Sequence, residues 1–238
     1  MEIIYREAES RGSFENEWLK ARYSFSFSSY QDPEWTTFGQ MRVLNHDQVQ
    51  PGQGFAPHSH ADMEIITYVI EGAIEHRDSM GHREVVRSGE VQIMSAGEGV
   101  QHSEYNPSPT ELLELFQIWV FPEVKGGPPR YGQKHFPRDE RRGRLELMVG
   151  PVGDDKAPLQ VQQQFYLYGG LLEAGQGVQH QPSLDHVWLQ VARGSLEVEG
   201  RSLKMGDGLG LKFESTSERN KGLSIHASEP AEFVLLET

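Results

Sequence analysis

The stretch Gly52–Gly72, GQGFAPHSHADMEIITYVIEG, contains two histidines separated by one residue, just before a β-branched run. A second stretch, Gly89–Asn106, GEVQIMSAGEGVQHSEYN, repeats this spacing with a histidine and a glutamate. In a strand, residues i and i+2 point to the same face, so each pair aims two metal-competent side chains the same way. Three imidazoles and a carboxylate suit a divalent transition metal, which predicts a metal site in a β-barrel. The candidate ligands are His58, His60, His102 and Glu104.

Size and charge limit the class of protein. The 238 residues are enough for one large or two ordinary domains. A formal net charge of −13 disfavours nucleic acid and anionic membrane surfaces as partners. There is no cysteine, so any metal must be held by nitrogen and oxygen donors. The N-terminus lacks a signal-peptide pattern and no apolar run reaches the roughly 18 residues of a membrane span, so a cytoplasmic location is expected.

Strand signals dominate the first half of the chain. β-branched and aromatic runs bounded by Gly, Pro or Asn predict strands. These runs are Glu64–Gly72, Glu90–Gly97 and Glu111–Phe121. A hairpin is predicted between the first two, with its turn at Asp78–Gly81. Helix is expected only as short pieces near Ser13–Ala21 and Arg138–Arg142, so the predicted fold is all-β.

The chain breaks near its middle and then repeats itself. A Gly- and Pro-rich, charged segment predicts a linker at 124–144, between a domain at 1–123 and a domain at 145–238. HVWLQVARGSLEV can be laid over EIITYVIEGAIEH, so that Gly194 matches Gly72. We interpret this echo as an internal duplication of one antiparallel β-barrel.

The second copy lacks a complete ligand set. His180 and His186 align with His58 and Glu64, Pro182 replaces His60, and Arg219 falls near the place of His102 if the alignment has no gaps. We therefore expect the metal in the N-terminal barrel and none in the degenerate C-terminal barrel. Of the other histidines, His76 and His82 lie on or beside the hairpin and are expected to be exposed to solvent.

The two histidine stretches match the two cupin motifs, with small departures. Gly72 comes one residue later than usual, and Ser95 and Gly97 stand where the second motif has its proline. The strings HSHADMEIITYVIEG, QIMSAGEGVQHSEYNPS and QIWVFPE resemble the pirin family of bicupins, closest to bacterial members described as quercetin 2,3-dioxygenases. The resemblance covers nearly the whole chain. It implies a bicupin of two tandem antiparallel β-barrels, or double-stranded β-helices, packed together.

The resemblance also implies the metal ligands, which by position are His58, His60, His102 and Glu104. Glu64 keeps the same strand face as His60, so periodicity alone leaves it as an alternative fourth ligand. The pirin pattern assigns that place to Glu104. Glu64 would then orient a ligand imidazole from behind.

The function implied by the resemblance is cleavage of the heterocyclic ring of flavonols such as quercetin by dioxygen, with release of carbon monoxide. Fe(II) is the first choice of metal, and Zn, Mn, Co, Ni and Cu suit the same donors. A divalent ion among three neutral imidazoles and a carboxylate keeps about one positive charge, which lowers the pKa of a bound hydroxyl. Glu104 is expected to act both as a labile ligand and as the catalytic base.

The partners expected on this basis are a flavonol and dioxygen, and the chain is expected to be a monomer. A planar substrate needs an apolar slot. Four large side chains flank the motifs and could line such a slot, although a place in the barrel core is the expected one: Phe55, Met63, Met94 and Trp119. The alternative function is a non-catalytic metal- or redox-sensing regulatory protein that acts through a protein partner.

Overall fold

The computed structural model of the chain describes residues 1–238 and is nearly all-β, with 56% of the residues in strands and 5% in helices. The strands of the first half are β1 (Glu2–Arg6), β2 (Gly12–Glu15), β3 (Leu19–Tyr23), β4 (Met41–Val49), β5 (Gly54–His60), β6 (Glu64–Glu71), β7 (Ala73–Asp78), β8 (Arg83–Arg87), β9 (Glu90–Ser95), β10 (Val100–Tyr105), β11 (Leu113–Val120) and β12 (Arg130–His135). A short 3-10 helix, Ala8–Ser10, follows β1.

The second half continues the pattern with ten more strands and two one-turn helices. In chain order these are α1 (Arg138–Arg141), β13 (Arg144–Pro151), β14 (Leu159–Val161), β15 (Tyr166–Leu172), β16 (Gly177–His180), β17 (His186–Arg193), β18 (Ser195–Val198), β19 (Arg201–Lys204), β20 (Gly208–Lys212), α2 (Thr216–Arg219), β21 (Leu223–Ala227) and β22 (Ala231–Glu237). None of the helices has both the length and the apolar character needed to span a bilayer.

The chain forms two compact units. The N-terminal unit comprises Gly12–Phe136 and Leu159–Gln163. The C-terminal unit comprises Met1–Arg11, Pro137–Pro158 and Gln164–Thr238. The first eleven residues thus depart from the predicted boundary of 1–123, because β1 pairs antiparallel with β20 of the C-terminal unit.

The N-terminal unit has two antiparallel sheets. The large sheet has the order β12-β9-β6-β11-β4-β3-β2, and the small sheet has the order β5-β10-β7-β8. Val69 and Leu115 of the large sheet share one buried core cluster with Ile74 and Val86 of the small sheet. The two sheets therefore pack as a jelly-roll-like sandwich, without closing into a barrel.

Position in the sheet explains the sequence of each strand. β6 lies between β9 and β11, and seven of its eight residues are buried, so its sequence EIITYVIE is almost continuously apolar. β5 lies at the edge of the small sheet and has no fully buried residue. That edge position lets a histidine-rich sequence form a strand.

The C-terminal unit repeats this arrangement, as the predicted duplication requires. Its small sheet has the order β16-β21-β18-β19, and β1-β20-β17-β22-β15-β13 follow one another in its large sheet. Gly72 and Gly194 occupy equivalent turns with φ of +76° and +72°. A Cβ at these positions would collide with the carbonyl oxygens of Leu112 and Pro230, so both turns need glycine.

The predicted elements agree with the structure except at two places. The three predicted strands and the turn at Asp78–Gly81 are confirmed, as is a helix at Arg138–Arg141. The helical piece predicted near Ser13–Ala21 is wrong, because β2 and β3 form a hairpin there that pairs onto β4. The predicted linker contains β12, which extends the large sheet beside β9.

Candidate metal centre

Two neighbouring strands of the small sheet bring the candidate ligands together. β5 contributes His58 and His60, and β10 contributes His102 and Glu104. The strands pair antiparallel, with His102 directly opposite His58. The register shifts between His102 and Glu104, because β5 advances three residues, from His58 to Phe55, while β10 advances two.

The three histidines form one compact cluster. Nε2 of His102 lies 3.0 Å from Nε2 of His58, and the ring of His60 lies 4.8 Å and 4.9 Å from the rings of His58 and His102. Their ligand atoms all lie within 4.8 Å of one another. Nδ1 of His58 contacts the carbonyl oxygen of Ala56 at 2.8 Å, which assigns the proton to Nδ1 and leaves Nε2 as the donor atom for a metal.

Glu104 lies deeper than this cluster. It belongs to a second group of potential ligands with His76 and His102, and all three residues are buried. Its Oε2 accepts a hydrogen bond from Nε2 of Gln117 at 3.1 Å, whereas its buried Oε1 has no hydrogen-bond partner. Burial raises the pKa of Glu104 to about 7, although hydrogen bonds from Gln92 and Gln117 oppose that rise.

Burial keeps His60 and His102 neutral. It lowers the pKa of His60 to about 4, helped by the charge of a protonated His58. It lowers the pKa of His102 to about 2, with further contributions from His58 and His60. Neutral imidazoles are the form that binds a metal, so these ligands need to lose no proton near neutral pH.

A chain of side chains leads from His102 to the surface. Nδ1 of His102 lies 3.5 Å from Nδ1 of His76, and Nε2 of His76 lies 3.1 Å from Oδ2 of Asp78. Asp78 also contacts Nδ1 of His82 at 2.9 Å and accepts hydrogen bonds from the backbone N–H groups of Met80 and His82. If a metal takes Nε2 of His102, then Nδ1 carries the proton, His102 donates to His76 and His76 donates to Asp78.

The expected exposure of His76 is wrong, because its side chain is completely buried. It lies on β7, the strand on the other side of β10 from β5, directly opposite Glu104. His82 is partly exposed, and the ring of Tyr131 stacks on His82 and lies against His76. Burial alone would raise the pKa of Asp78, but hydrogen bonds from His76 and His82 outweigh burial and lower it.

Sequence reasoning missed His76 and Asp78. A usable signal was present, since the two residues are separated by one position and therefore share a strand face. Glu64, the residue predicted to orient a ligand imidazole, lies in neither ligand group. It is buried and accepts a hydrogen bond from Oγ of Ser95 at 2.7 Å, and burial raises its pKa.

A cavity of about 480 Å³ opens beside the cluster. Aromatic side chains of Trp18, Phe27, Phe55 and Trp119 line it together with His58, His60 and Glu104. The ring of Trp119 meets the ring of His60 edge-on at 4.9 Å, which joins the cavity to the candidate metal position. Phe55 and Trp119 thus line the cavity. Met94 is a core residue as expected, in a buried cluster with Ile65, and Met63 packs against that cluster.

The counterparts in the C-terminal unit differ from those expected of an ungapped alignment. Leu223 lies opposite His180 on β21, as His102 lies opposite His58 on β10. Arg219 ends helix α2, because the loop from β20 to β21 is longer than the loop from β9 to β10. The predicted match of Arg219 with His102 is therefore wrong, and an apolar residue takes that place.

The residues of the N-terminal unit fit a divalent transition metal. Two imidazole Nε2 atoms point at each other at 3.0 Å, and a buried carboxylate oxygen nearby has no partner. A buried acceptor without a partner is costly, and a cation would satisfy it. Nitrogen and oxygen donors in this ratio suit iron, manganese, cobalt, nickel, copper or zinc.

Known proteins share this arrangement of two cupin units. Residues 5–120 match the pirin family, and residues 147–238 match the quercetinase C-terminal cupin domain. The chain is 43% identical to a quercetin 2,3-dioxygenase of Escherichia coli K12 over 236 residues. The aligned region covers 99% of this chain and 98% of the relative. A pirin-like protein of Caulobacter vibrioides is 40% identical over 227 residues, or 95% of each chain. The crystal structure of the bacterial pirin YhhW from Escherichia coli with nickel(II) superposes with a TM-score of 0.89 at 42% identity, covering 99% of this chain and 98% of that chain.

Proposed function

The chain belongs to the pirin family, and we propose that it is a metal-dependent dioxygenase that cleaves the heterocyclic ring of flavonols such as quercetin, with release of carbon monoxide. The observation that carries the proposal is the cluster of three histidines at the wall of an aromatic-lined cavity. The names of relatives at 43% and 40% identity support the same reaction class.

In this proposal, His58, His60, His102 and Glu104 hold one divalent metal in the N-terminal unit, and the C-terminal unit holds none. Fe(II) is the proposed native metal because it suits both these donors and dioxygen chemistry. The nickel(II) complex of a bacterial pirin supports binding of a divalent ion by proteins of this family. When bound, the ion would lower the pKa of a substrate hydroxyl and hold that hydroxyl as an anion.

The protein's own groups prepare the substrate. Glu104 is suited to take the hydroxyl proton near neutral pH once it leaves the metal, because burial raises the pKa of the uncoordinated carboxyl to about 7. Gln117 holds one carboxylate oxygen and leaves the other without a partner, so the base keeps a fixed orientation. Phe27, Phe55 and Trp119 give a planar ring system apolar surfaces to lie against and exclude water from the reacting side.

The decisive experiment is turnover of quercetin. The protein is loaded anaerobically with Fe(II) and, in parallel samples, with Mn, Co, Ni, Cu or Zn, and quercetin and then oxygen are added. We expect loss of the flavonol absorbance together with release of carbon monoxide in at least one redox-active sample. An unchanged flavonol spectrum in every metal-loaded sample would overturn the enzyme assignment.

A further inference from the structure

One wall of the cavity is polar, in contrast to its aromatic surroundings. Asn45 and Asp47 alternate along β4, so their side chains point to the same face, and both line the cavity. Asn45 lies directly opposite Gln117 of β11, and Gln117 donates to Glu104. The polar wall, defined as Asn45, Asp47 and Gln117, therefore runs from the proposed base across two adjacent strands of the large sheet.

Besides Oε1 of Glu104, an amide oxygen and an indole nitrogen at this cavity are buried without a hydrogen-bond partner. One is Oδ1 of Asn45, a residue that is only 3% exposed, and the other is Nε1 of Trp119. The first atom is an acceptor and the second is a donor. Buried polar groups in native proteins are almost always satisfied, so this complementary pair at the edge of a cavity indicates where ligand atoms would make the missing hydrogen bonds.

The charges of the cavity restrict the ligand further. Asp47 is 4% exposed, and its carboxylate adds to the effect of burial in raising the pKa of Tyr23 to about 12. Asp47 and Glu104 are both carboxylic acids, and no lysine or arginine lines the cavity. A ligand carboxylate placed at the polar wall would face the carboxyl group of Asp47 with no lysine or arginine in the lining to pair with it, whereas a neutral hydroxyl could donate to either residue of β4.

We propose that the polar wall is a recognition subsite for a hydroxyl group of a neutral, planar, polyhydroxylated aromatic substrate. A hydroxyl other than the one at the metal donates to Asn45 or Asp47, and a ring oxygen or carbonyl accepts from Nε1 of Trp119. This inference rests on the proposed function and narrows its substrate class. At this wall a neutral hydroxyl is preferred over a carboxylate, which would face the carboxyl group of Asp47.

Binding without turnover tests the subsite. The protein is loaded with Zn(II), and quenching of tryptophan fluorescence is titrated with quercetin, with 3-hydroxyflavone, which keeps only the hydroxyl for the metal, and with protocatechuate, an aromatic acid. We expect quercetin to bind about tenfold more tightly than 3-hydroxyflavone, the difference expected for hydrogen bonds to otherwise unsatisfied groups. Protocatechuate should bind more weakly than both.

Two variants and a control locate the effect. Asn45→Leu, of nearly equal size, should bring the ratio of the two flavonol affinities close to one while leaving 3-hydroxyflavone binding within about twofold. Asp47→Asn should strengthen protocatechuate binding several-fold. The control is Ser28→Ala, at a residue that lines the same cavity outside β4 and β11, and it should change none of these affinities.

The results separate this proposal from the dioxygenase assignment. Equal affinities for the two flavonols in the unaltered protein, or an unchanged ratio in Asn45→Leu, would overturn the subsite even if quercetin is cleaved. A clear preference for quercetin that Asn45→Leu removes would support the subsite even if no metal supports cleavage. Protocatechuate binding that Asp47→Asn leaves unchanged would overturn the preference of the polar wall for a neutral hydroxyl.

Discussion

The two units share one strand scheme and differ in what fills it. Equivalent strand pairing matches six buried polar residues at the candidate metal centre with six apolar residues of the C-terminal unit. In the N-terminal unit these are Thr67, His76, Gln92, His102, Glu104 and Gln117, and their counterparts are Leu189, Val198, Leu209, Leu223, Ile225 and Leu235. The six counterparts all belong to one apolar core cluster. The fold thus does not need the polar layer, and the layer is present for chemistry.

The histidine that both units keep has a different role in each. His58 turns Nε2 toward His102 and stays partly exposed. Its counterpart His180 directs Nε2 at the buried carboxylate of Glu237, at 2.7 Å. Glu237 stands at the register position of Trp119, which lies against His60 in the N-terminal unit. A potential ligand in one unit is therefore a structural hydrogen-bond partner in the other.

The largest expected effect comes from giving the N-terminal unit the residue of its counterpart. His102→Leu removes the ligand shared by both groups of potential metal ligands, so we expect the bound metal to fall from about one per chain to nearly none and quercetin turnover to be lost. Metal analysis of the purified protein measures this. Leu223→Met is the matched control in the C-terminal unit, and it should retain full metal content. A His102→Leu protein with one tightly bound metal would show that the ion lies elsewhere.

A smaller loss is expected one step away from the metal. Asp78→Asn keeps the shape of the side chain but weakens its acceptance of the hydrogen bond from His76, which in turn orients His102. Loss of such a partner typically weakens metal affinity about 10–100-fold. Competition with a chelator measures the affinity, and the visible spectrum of the Co(II) form reports the ligand geometry. His82→Asn, at the surface end of the chain, should change the affinity only slightly, and an unchanged affinity in Asp78→Asn would remove the proposed positioning role.

The sequence predicted what depends on local pattern and missed what depends on pairing. Spacing of i and i+2 along β5 and β10 sufficed to select the three histidines, because strand geometry fixes which side chains share a face. The place of His76 could not be derived in this way, since it depends on β7 lying beside β10. The match of Arg219 failed for a similar reason, because the length of the loop before β21 shifts the register and cannot be read from residue spacing. Which face of the hairpin turns inward is decided by the packing of both sheets.

Acid should affect the metal-free N-terminal unit through its polar layer. Lowered pKa values of about 4 for His60 and about 2 for His102 mean that the unfolded chain binds protons below pH 6.5 that the folded chain does not, so stability falls. The raised pKa of Glu104, about 7 against 4.5, has the opposite sign, because the folded chain binds a proton first as the pH falls from 7 to 4.5. For these three groups the balance between pH 6.5 and 4.5 is a net loss of stability, to which the lowered pKa of His76 adds and which the raised pKa of Glu64 opposes.

The dependence of the free energy of unfolding on pH can be measured and assigned to particular residues. One uncompensated proton corresponds to about 1.4 kcal/mol per pH unit, and the partial exposure of His60 reduces this value through solvent screening. Urea unfolding of the metal-free protein at pH 6.5, 5.5 and 4.5 gives the slope. His102→Leu should flatten it, since one histidine and Glu104 then nearly cancel. A slope that His102→Leu leaves unchanged would assign the acid sensitivity to another part of the chain.

The smallest expected effect separates the two roles of the shared histidine. In the C-terminal unit, Glu237 keeps the backbone N–H groups of Ser183 and Leu184 as donors when His180 is changed. His180→Gln, which retains a donor, should therefore lower the free energy of unfolding by only about 1 kcal/mol and leave the metal content unchanged. His58→Gln should do the reverse, lowering metal content while the unfolding of the metal-free protein stays nearly the same, because His58 is at a sheet edge and partly exposed. Loss of metal in His180→Gln would contradict these separate roles, because the metal would then depend on a histidine of the C-terminal unit. In that unit, leucine and isoleucine stand at the positions of His102 and Glu104.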